Sequence, residues 1–264
     1  MNEAVAAREG QVRLLALGDA AWTVEFGEVI DPVLHGRVLG LARALEALRT
    51  GRDAGAESPF AAVVDVVPTF RSLTVYYDPL CCDGQQLGEA LLALARSTGS
   101  AGTSSRQWRI PVCFDDDCAP DLADLAHSKG LTREAVIELM TGAEFRVYMI
   151  GFMPGFPYMG GLPAQLQMPR LSSPRKAVPE RSLAVAGEMC AVYPWESPGG
   201  WRLLGRIPVP LFLKSDPQPA LFASGDRVRW QAIDRTTYLE LERAGQAGTL
   251  DRRALLVTGE GAGV

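Results

Sequence analysis

The sequence predicts an α+β chain of two domains: an open sheet with two helices, followed by a β barrel with long loops. Three observations carry this reading. Strand-like and helix-like periods alternate over roughly the first hundred residues. The Ser/Gly/Thr stretch from Ser97 to Ser105 then interrupts them as a linker. Beyond it, Gly151 to Trp201 holds 7 Gly and 8 Pro in 51 residues, far above the usual share of roughly 12%.

Taken along the chain, Val12 to Leu17 and Trp22 to Phe26 are β-prone runs, with Gly18-Asp19 as turn chemistry between them. Leu34, Val38, Leu41, Leu45 and Leu48 then step by four and three, one face of an amphipathic helix. Asp31 suits its N-cap and Pro32 its first turn, where a missing N–H costs nothing. Thr50 to Pro59 reads as a polar loop. Ala61 to Val67 is β-branched and reads as a central strand, broken by Pro68, and Ser72 to Tyr77 reads as another. Leu87, Leu91 and Leu94 mark a second helix over roughly 85–96. Arg109 to Phe114 is a further strand that fits either domain. The order strand, helix, strand, strand, helix, strand is the ferredoxin-like pattern, assigned to residues 1–105.

Residues 106–264 form the second domain. Pro120 to Gly142 reads as two short helices around Gly130, with Asp121 and Thr132 as N-caps. Phe145 to Ile150, Leu183 to Ala186, Leu203 to Leu204, Pro208 to Leu213 and Asp226 to Ile233 are β-like and imply an antiparallel barrel. Gly259 to Val264 reads as a frayed tail.

Charge and composition exclude several functions. The chain carries 26 Lys+Arg against 31 Asp+Glu, a net charge of −5. It lacks the positive field that draws nucleic acid or an anionic membrane surface. No apolar run approaches the roughly 18 residues that span a bilayer, and the first residues lack the basic and apolar regions of a signal peptide. The five cysteines are odd in number and form no C-x-x-C pair, which implies reduced thiols and a cytoplasmic location. Two histidines, His35 and His127, rule out a zinc site built on several imidazoles. Both read as surface or packing residues, and Cys190 as a small buried hydrophobe. The three adjacent carboxylates Asp115, Asp116 and Asp117 point in different directions, so no metal site is assigned.

Three segments hold chemistry. In Gly151-Phe-Met-Pro-Gly-Phe-Pro-Tyr-Met-Gly-Gly-Leu-Pro163, glycines permit close backbone approach and prolines stiffen the loop. Phe152, Phe156 and Tyr158 can form an apolar wall, with Pro154, Gly155 and Gly160 shaping it. The alternative is a barrel corner that packs its own aromatics. Arg170 and Arg175, each after a proline, can clamp a carboxylate or phosphoryl group, or can be solvated surface arginines. In Tyr193-Pro-Trp-Glu-Ser-Pro-Gly-Gly-Trp201, Glu196 can act as base or acceptor and Ser197 as hydroxyl donor, beside Gly199, Gly200 and Trp201; turn capping is the plainer role. Trp195 stands where a G-x-S-x-G elbow needs glycine, so a covalent serine mechanism is not expected. No G-x-x-x-x-G-K-[ST] phosphate loop and no G-x-G-x-x-G fingerprint occurs.

The ordered run GFMPGFPYMGGLP, the two PR pairs, YPWESPGGWRLLGRIP and GDRVRW, with Val64 to Pro68, Arg71 to Leu73, Tyr77 to Pro79 and Arg146 to Tyr148 upstream, resembles the KipI family. Its members are described as allophanate hydrolase subunit 1, or carboxyltransferase subdomains C and D. They include the B subunit of bacterial ATP-dependent 5-oxoprolinase. The resemblance implies a ferredoxin-like domain followed by a cyclophilin-like β-barrel domain. It implies work on a small amide beside the 5-oxoprolinase C subunit (carboxyltransferase subdomains A and B) and the A subunit, with ATP entering through the assembly. That activity opens 5-oxo-L-proline to glutamate. Two other roles occur in the family: carboxyl transfer on urea-type amides, and inhibition of a sporulation histidine kinase. The wall to which these roles point is the 151–163 loop, Arg170, Arg175 and the span from Glu196 to Trp201.

This chain departs from the family wording at three places. Glu180-Arg181 stand for Ala-Gly, Met189-Cys190-Ala191 for Gln-Thr-Gly, and Met140 lies near a frequent His. Donors and a proton carrier are thereby lost, and a Glu-Arg turn calls for different backbone geometry from an Ala-Gly one, since Gly often supplies φ > 0.

Overall fold

The computed structural model describes residues 11–50, 58–100 and 106–257. The expected tail, and parts of the expected 50–59 loop and 97–105 linker, lie outside these residues. The chain divides into two compact units, Met1–Ser104 and Ser105–Val264.

In the first unit, β1 (Arg13–Ala16), β2 (Ala21–Glu25), β3 (Val63–Pro68) and β4 (Ser72–Tyr77) form an antiparallel sheet of order β1-β2-β4-β3. Helices α1 (Pro32–Thr50) and α2 (Gly84–Ser97) bury Leu34, Val38, Leu41, Leu45, Leu87 and Leu91 against Val24, Leu73 and Val75. Asp31 Oδ1 accepts the Val33 N–H at 2.7 Å, and Asp83 Oδ1 accepts that of Gln85 at 2.7 Å, so both helices start at a side-chain cap.

Two expectations change here. β3 is an edge strand, with Val64 and Asp65 exposed. Its β-branched run reports a pleated surface and not a position in the sheet. The Arg109–Phe114 strand joins the second unit. The sheet position beside β2 belongs instead to β1, which pairs through Leu14↔Val24 and Leu15↔Thr23. The ferredoxin-like order is therefore permuted, its last strand supplied from before the first helix. A hairpin closed at Gly18 (φ 62°) forms with little loop entropy, whereas the later strand would have to cross the linker.

In the second unit the strands are β5 (Gln107–Cys113), β6 (Phe145–Ile150), β7 (Pro157–Gly160), β8 (Arg175–Val178), β9 (Ser182–Ala186), β10 (Met189–Val192), β11 (Ser197–Gly199), β12 (Arg202–Arg206) and β13 (Arg227–Ile233). Seven of them close a barrel of order β10-β7-β6-β13-β5-β12-β9, while β8 and β11 pair as a separate ribbon. The barrel is not wholly antiparallel. β13 runs parallel to β5 from Arg227↔Gln107 to Ile233↔Cys113. The two strands are far apart in sequence, so no hairpin sets their direction.

Helices α3 (Leu122–Lys129) and α4 (Arg133–Gly142) flank Gly130, which ends α3 at φ 63°. Thr132 caps α4 through the Ala135 N–H, but Asp121 makes no cap bond. α5 (Arg235–Gln246) has no counterpart in the sequence reading; its apolar side is short, with Tyr238 buried and Leu239 and Leu241 half-buried. Pro208 to Leu213 is not a strand, since Pro208 and Pro210 have no N–H to give a ladder.

Alternation along the barrel strands decides where the site lies. Leu183, Val185, Cys190, Val192 and Leu204 belong to the main core with Ile110, Phe145 and Trp230. The intervening Ala184, Ala186, Ala191 and Leu203 belong to a second cluster with Phe156, Val178, Tyr193 and Trp201. Period-two geometry puts these sets on opposite faces, so an aromatic layer sits outside β9, β10 and β12.

Candidate functional site

Phe156 is the hub of that layer. Its ring centroid lies 4.9 Å from Tyr158, 5.2 Å from Tyr193, 5.4 Å from Phe152 and 6.2 Å from Trp201. These edge-to-face and tilted contacts join residues from two separate stretches of sequence, 151–163 and 193–201, into one wall. Gly155 (φ 79°) turns the chain into it, and a Cβ there would press on Leu211 O at 3.2 Å. Phe152, at φ 68°, projects from the loop and is exposed. Pro154 is exposed beside it, and Gly160 lets the Tyr148 ring close against β7.

The arginines have different surroundings. Arg170 is exposed and lies over the Trp201 ring, 5.9 Å from its centroid. Arg175 is committed. Its Nη2 donates to Asp121 Oδ1 at 2.5 Å and its Nη1 to Trp201 O at 3.4 Å. Buried Asp121 also accepts the Leu203 N–H through Oδ2 at 2.7 Å. Asp121 reads in the sequence as a helix cap, and Arg175 as part of an open clamp. The fold uses both to fasten the wall, because a buried carboxylate takes the strongest donors within reach.

The third motif closes the arrangement. Ser197 pairs with Val178 and Gly199 with Arg175 across the ribbon, and the Leu171 N–H donates to Gly200 O at 2.7 Å. A Cβ on Gly199 would land on the Tyr193 hydroxyl, so glycine is required for Tyr193 to reach the ribbon. Ser197 Oγ is buried and meets no hydrogen-bond partner among the described residues. Glu196 is exposed.

Burial pushes the Tyr158 phenol above its ordinary range, with the Arg170 charge opposing. Burial does the same to Tyr193, offset in part by the Trp201 backbone N–H, Arg170 and Arg175. Both therefore stay protonated at neutral pH and can donate. Phe156, Tyr193 and Trp201 are buried within the layer, so the surface it presents is exposed Phe152, half-buried Tyr158 and the exposed Arg170 guanidinium. It holds neither histidine: His35 is on α1 and exposed His127 on α3. Asp116 and Asp117 pair with Arg133 and Arg235, each at 2.6 Å. Tyr193 is the wall residue that the sequence reading left out, although it opens the third motif, and Asp121 gave no signal beyond capping.

An α+β unit and a barrel with an aromatic outer layer define a carboxyltransferase-type domain. Residues 12–222 match the family model for the carboxyltransferase domain, subdomain C and D, and the chain belongs to that family. It is similar to the 5-oxoprolinase B subunit of Bacillus subtilis (strain 168), at 35% identity over 236 residues, 84% of this chain and 93% of the relative. It is also similar to the 5-oxoprolinase B subunit of Haemophilus influenzae, at 38% over 168 residues, 64% of this chain and 78% of the relative. The crystal structure of TTHA0988 superposes with a TM-score of 0.68 at 34% identity over 81% of this chain, which spans 40% of that longer chain. Urea carboxylase of Kluyveromyces lactis superposes with a TM-score of 0.72 at 18% identity, over 91% of this chain and 23% of the other, and shares the fold. No helix among the described residues is long and apolar enough to cross a membrane.

Proposed function

We propose that this chain is the B subunit of a 5-oxoprolinase-type amidohydrolase, which converts 5-oxo-L-proline, ATP and two water molecules to L-glutamate, ADP and phosphate in the cytoplasm. Two partners, the A and C subunits, complete the enzyme. The observation that carries the reading is the Phe156-centred wall with Arg170 over Trp201, in a chain alike over most of its length to proteins named for that activity.

A lactam is a flat ring with a carbonyl dipole, and 5-oxoproline adds a carboxylate. The ring fits on half-buried Tyr158, which packs edge-on against buried Trp201 with centroids 6.0 Å apart. Arg170 is the free cation for the carboxylate. Negative charge builds on the lactam oxygen as the ring opens, and protonated phenols are suitable donors to it. Arg175, held by Asp121, is a positioning residue. Exposed Phe152, Glu196 and Trp195 are suited to meet a partner protein. ATP supplies the driving force through the assembly, since this chain has no phosphate loop. Met140 is fully buried in the core of the second unit and Cys190 faces the barrel interior, so at these two departures the wall loses no donor.

The test is reconstitution. The A and C subunits are expressed with and without this chain, and glutamate formed from 5-oxo-L-proline and ATP is measured. Glutamate that requires this chain supports the reading. Its absence, when the same two partners are made active by the B. subtilis B subunit, refutes it.

A further inference from the structure

A second constellation occupies the opposite arc of the barrel. In the strand ring, β13 stands three places from β9 and from β10 and two from β12, the strands over which the aromatic wall lies. Val228 and Trp230 of β13 join the interior core, so Arg227 and Arg229 face outward. The register sets Arg229 opposite Arg109 of β5 and Arg227 opposite Arg146 of β6. Like charges directly across a sheet repel. Among the described residues one carboxylate answers them: Glu144 Oε1 lies 3.5 Å from Arg227 Nη1, and its Oε2 3.3 Å from Arg229 Nη2. Four guanidiniums against one carboxylate leave a cationic patch on a chain of net charge −5.

The patch is concave. A hollow of about 290 Å³ is lined by Arg109, Glu144, Arg227 and Arg229, and a neighbouring one of about 360 Å³ by Arg109, Thr141 and Arg229. Arg109 and Arg229 are exposed and shared by both. Arg109 makes no ion pair or hydrogen bond among the described residues, and the buried Arg227 Nε meets no acceptor there. Residues two apart on a strand are separated by about 6.6 Å and cross-strand neighbours by roughly 5 Å. Three guanidiniums so spaced match an anion with several adjacent charged groups better than a single small ion. Their forks suit phosphoryl oxygens.

We infer that the outer face of β5 and β13 is a binding site for a polyphosphate group, separate from the aromatic wall. It rests on neither the family's reaction nor a partner protein. The probe is sodium pyrophosphate, titrated into the purified full chain by calorimetry at fixed ionic strength, with sulfate and ATP in parallel. Saturable binding of pyrophosphate is expected, tighter than that of sulfate. The Arg109→Gln/Arg229→Gln double variant should weaken it at least about tenfold. Both residues are exposed, so its melting temperature should hold or rise as repulsion is relieved. Arg170→Gln, on the other arc, should leave pyrophosphate binding unchanged. Tighter binding of ATP, with the same sensitivity to the double variant, would identify a nucleotide as the source. Equal or weaker binding of ATP would identify a free polyphosphate. No saturable binding, equal affinity for sulfate, or a double variant that binds like the parent would overturn the inference.

Discussion

The Arg175 guanidinium lies 2.5 Å from the Asp121 carboxylate, and Asp121 is almost wholly buried. The pair ties the β8–β11 ribbon to the start of α3 and to Leu203 on β12. Arg175→Ala leaves a buried carboxylate with one backbone donor. Because Arg175 is itself partly exposed, water recovers some of the loss, and about 1–3 kcal/mol of stability is expected to go. Chemical denaturation of Arg175→Ala and Arg175→Ala/Asp121→Asn measures this, and the double variant should be the more stable of the two. Equal stability of both with the parent would show that the pair fastens nothing.

Gly199 and Tyr193 make a second coupled pair. Gly199→Ala puts a methyl on the Tyr193 hydroxyl and should displace the ring that Phe156 packs against at 5.2 Å. Tyr193→Phe removes the obstructing oxygen. Gly199→Ala should therefore lower the melting temperature alone and do so much less in the Tyr193→Phe background. The expected coupling is about 1 kcal/mol or more. Additive effects would mean that Tyr193 moves aside freely.

Arg181 holds a left-handed backbone (φ 62°) with its side chain buried. It donates to Glu242 of α5 at 2.8 Å, to Glu180 at 2.7 Å and to Pro208 O at 3.2 Å. The conformation costs about 1 kcal/mol in a residue with a Cβ, and the ion pairs offset it. Arg181→Gly should relieve the strain yet lower stability by about 1–2 kcal/mol, since among the described residues Glu242 then keeps only the Tyr238 hydroxyl as donor. Arg181→Gly/Glu242→Gln should recover most of that loss. Thermal melts of both variants decide it, and an Arg181→Gly protein more stable than the parent would show the pairing to be worth less than the strain.

Glu25 predicts the acid limb of stability in the first unit. Burial alone would raise its pKa, but Arg13 and Arg71, the latter donating at 2.6 Å, hold the carboxyl below its ordinary range. A group whose folded pKa is depressed contributes stability above its unfolded value, lost as pH falls through the folded one. The loss should therefore begin as pH drops below about 4.3 and continue beyond it. Unfolding free energy followed from pH 7 to 3 should fall less steeply in Glu25→Gln than in the parent. Parallel curves would exclude Glu25 as a source of the acid sensitivity.

The legible part of the fold was what burial writes as a period. Leu34, Val38, Leu41 and Leu45 place α1, and Leu87 and Leu91 place α2, because each helix has one apolar face against a sheet. The exposed Leu48 marks where that face runs out. α5 was silent because its apolar side is short, Tyr238 with Leu239 and Leu241, and much of its fastening is polar, Tyr238 to Glu242 and Glu242 to Arg181. The parallel β13–β5 pairing was equally unreadable, since alternation fixes which face a residue takes and not which strand lies beside it. At the site, composition exposed the stiff loops and their aromatics. It could not separate Arg170, which remains exposed, from Arg175, which is spent on Asp121. That distinction depends on a carboxylate 54 residues away in sequence.

The central claim is that Arg170, free above Trp201, recognises the carboxylate of a lactam lying on the aromatic wall. Steady-state kinetics of the reconstituted enzyme test it most directly, comparing Arg170→Gln and Arg170→Lys with the parent. Arg170→Gln should raise KM for 5-oxo-L-proline at least about tenfold with a smaller change in kcat, and Arg170→Lys should recover part of the loss. A KM for Arg170→Gln equal to that of the parent would contradict the claim.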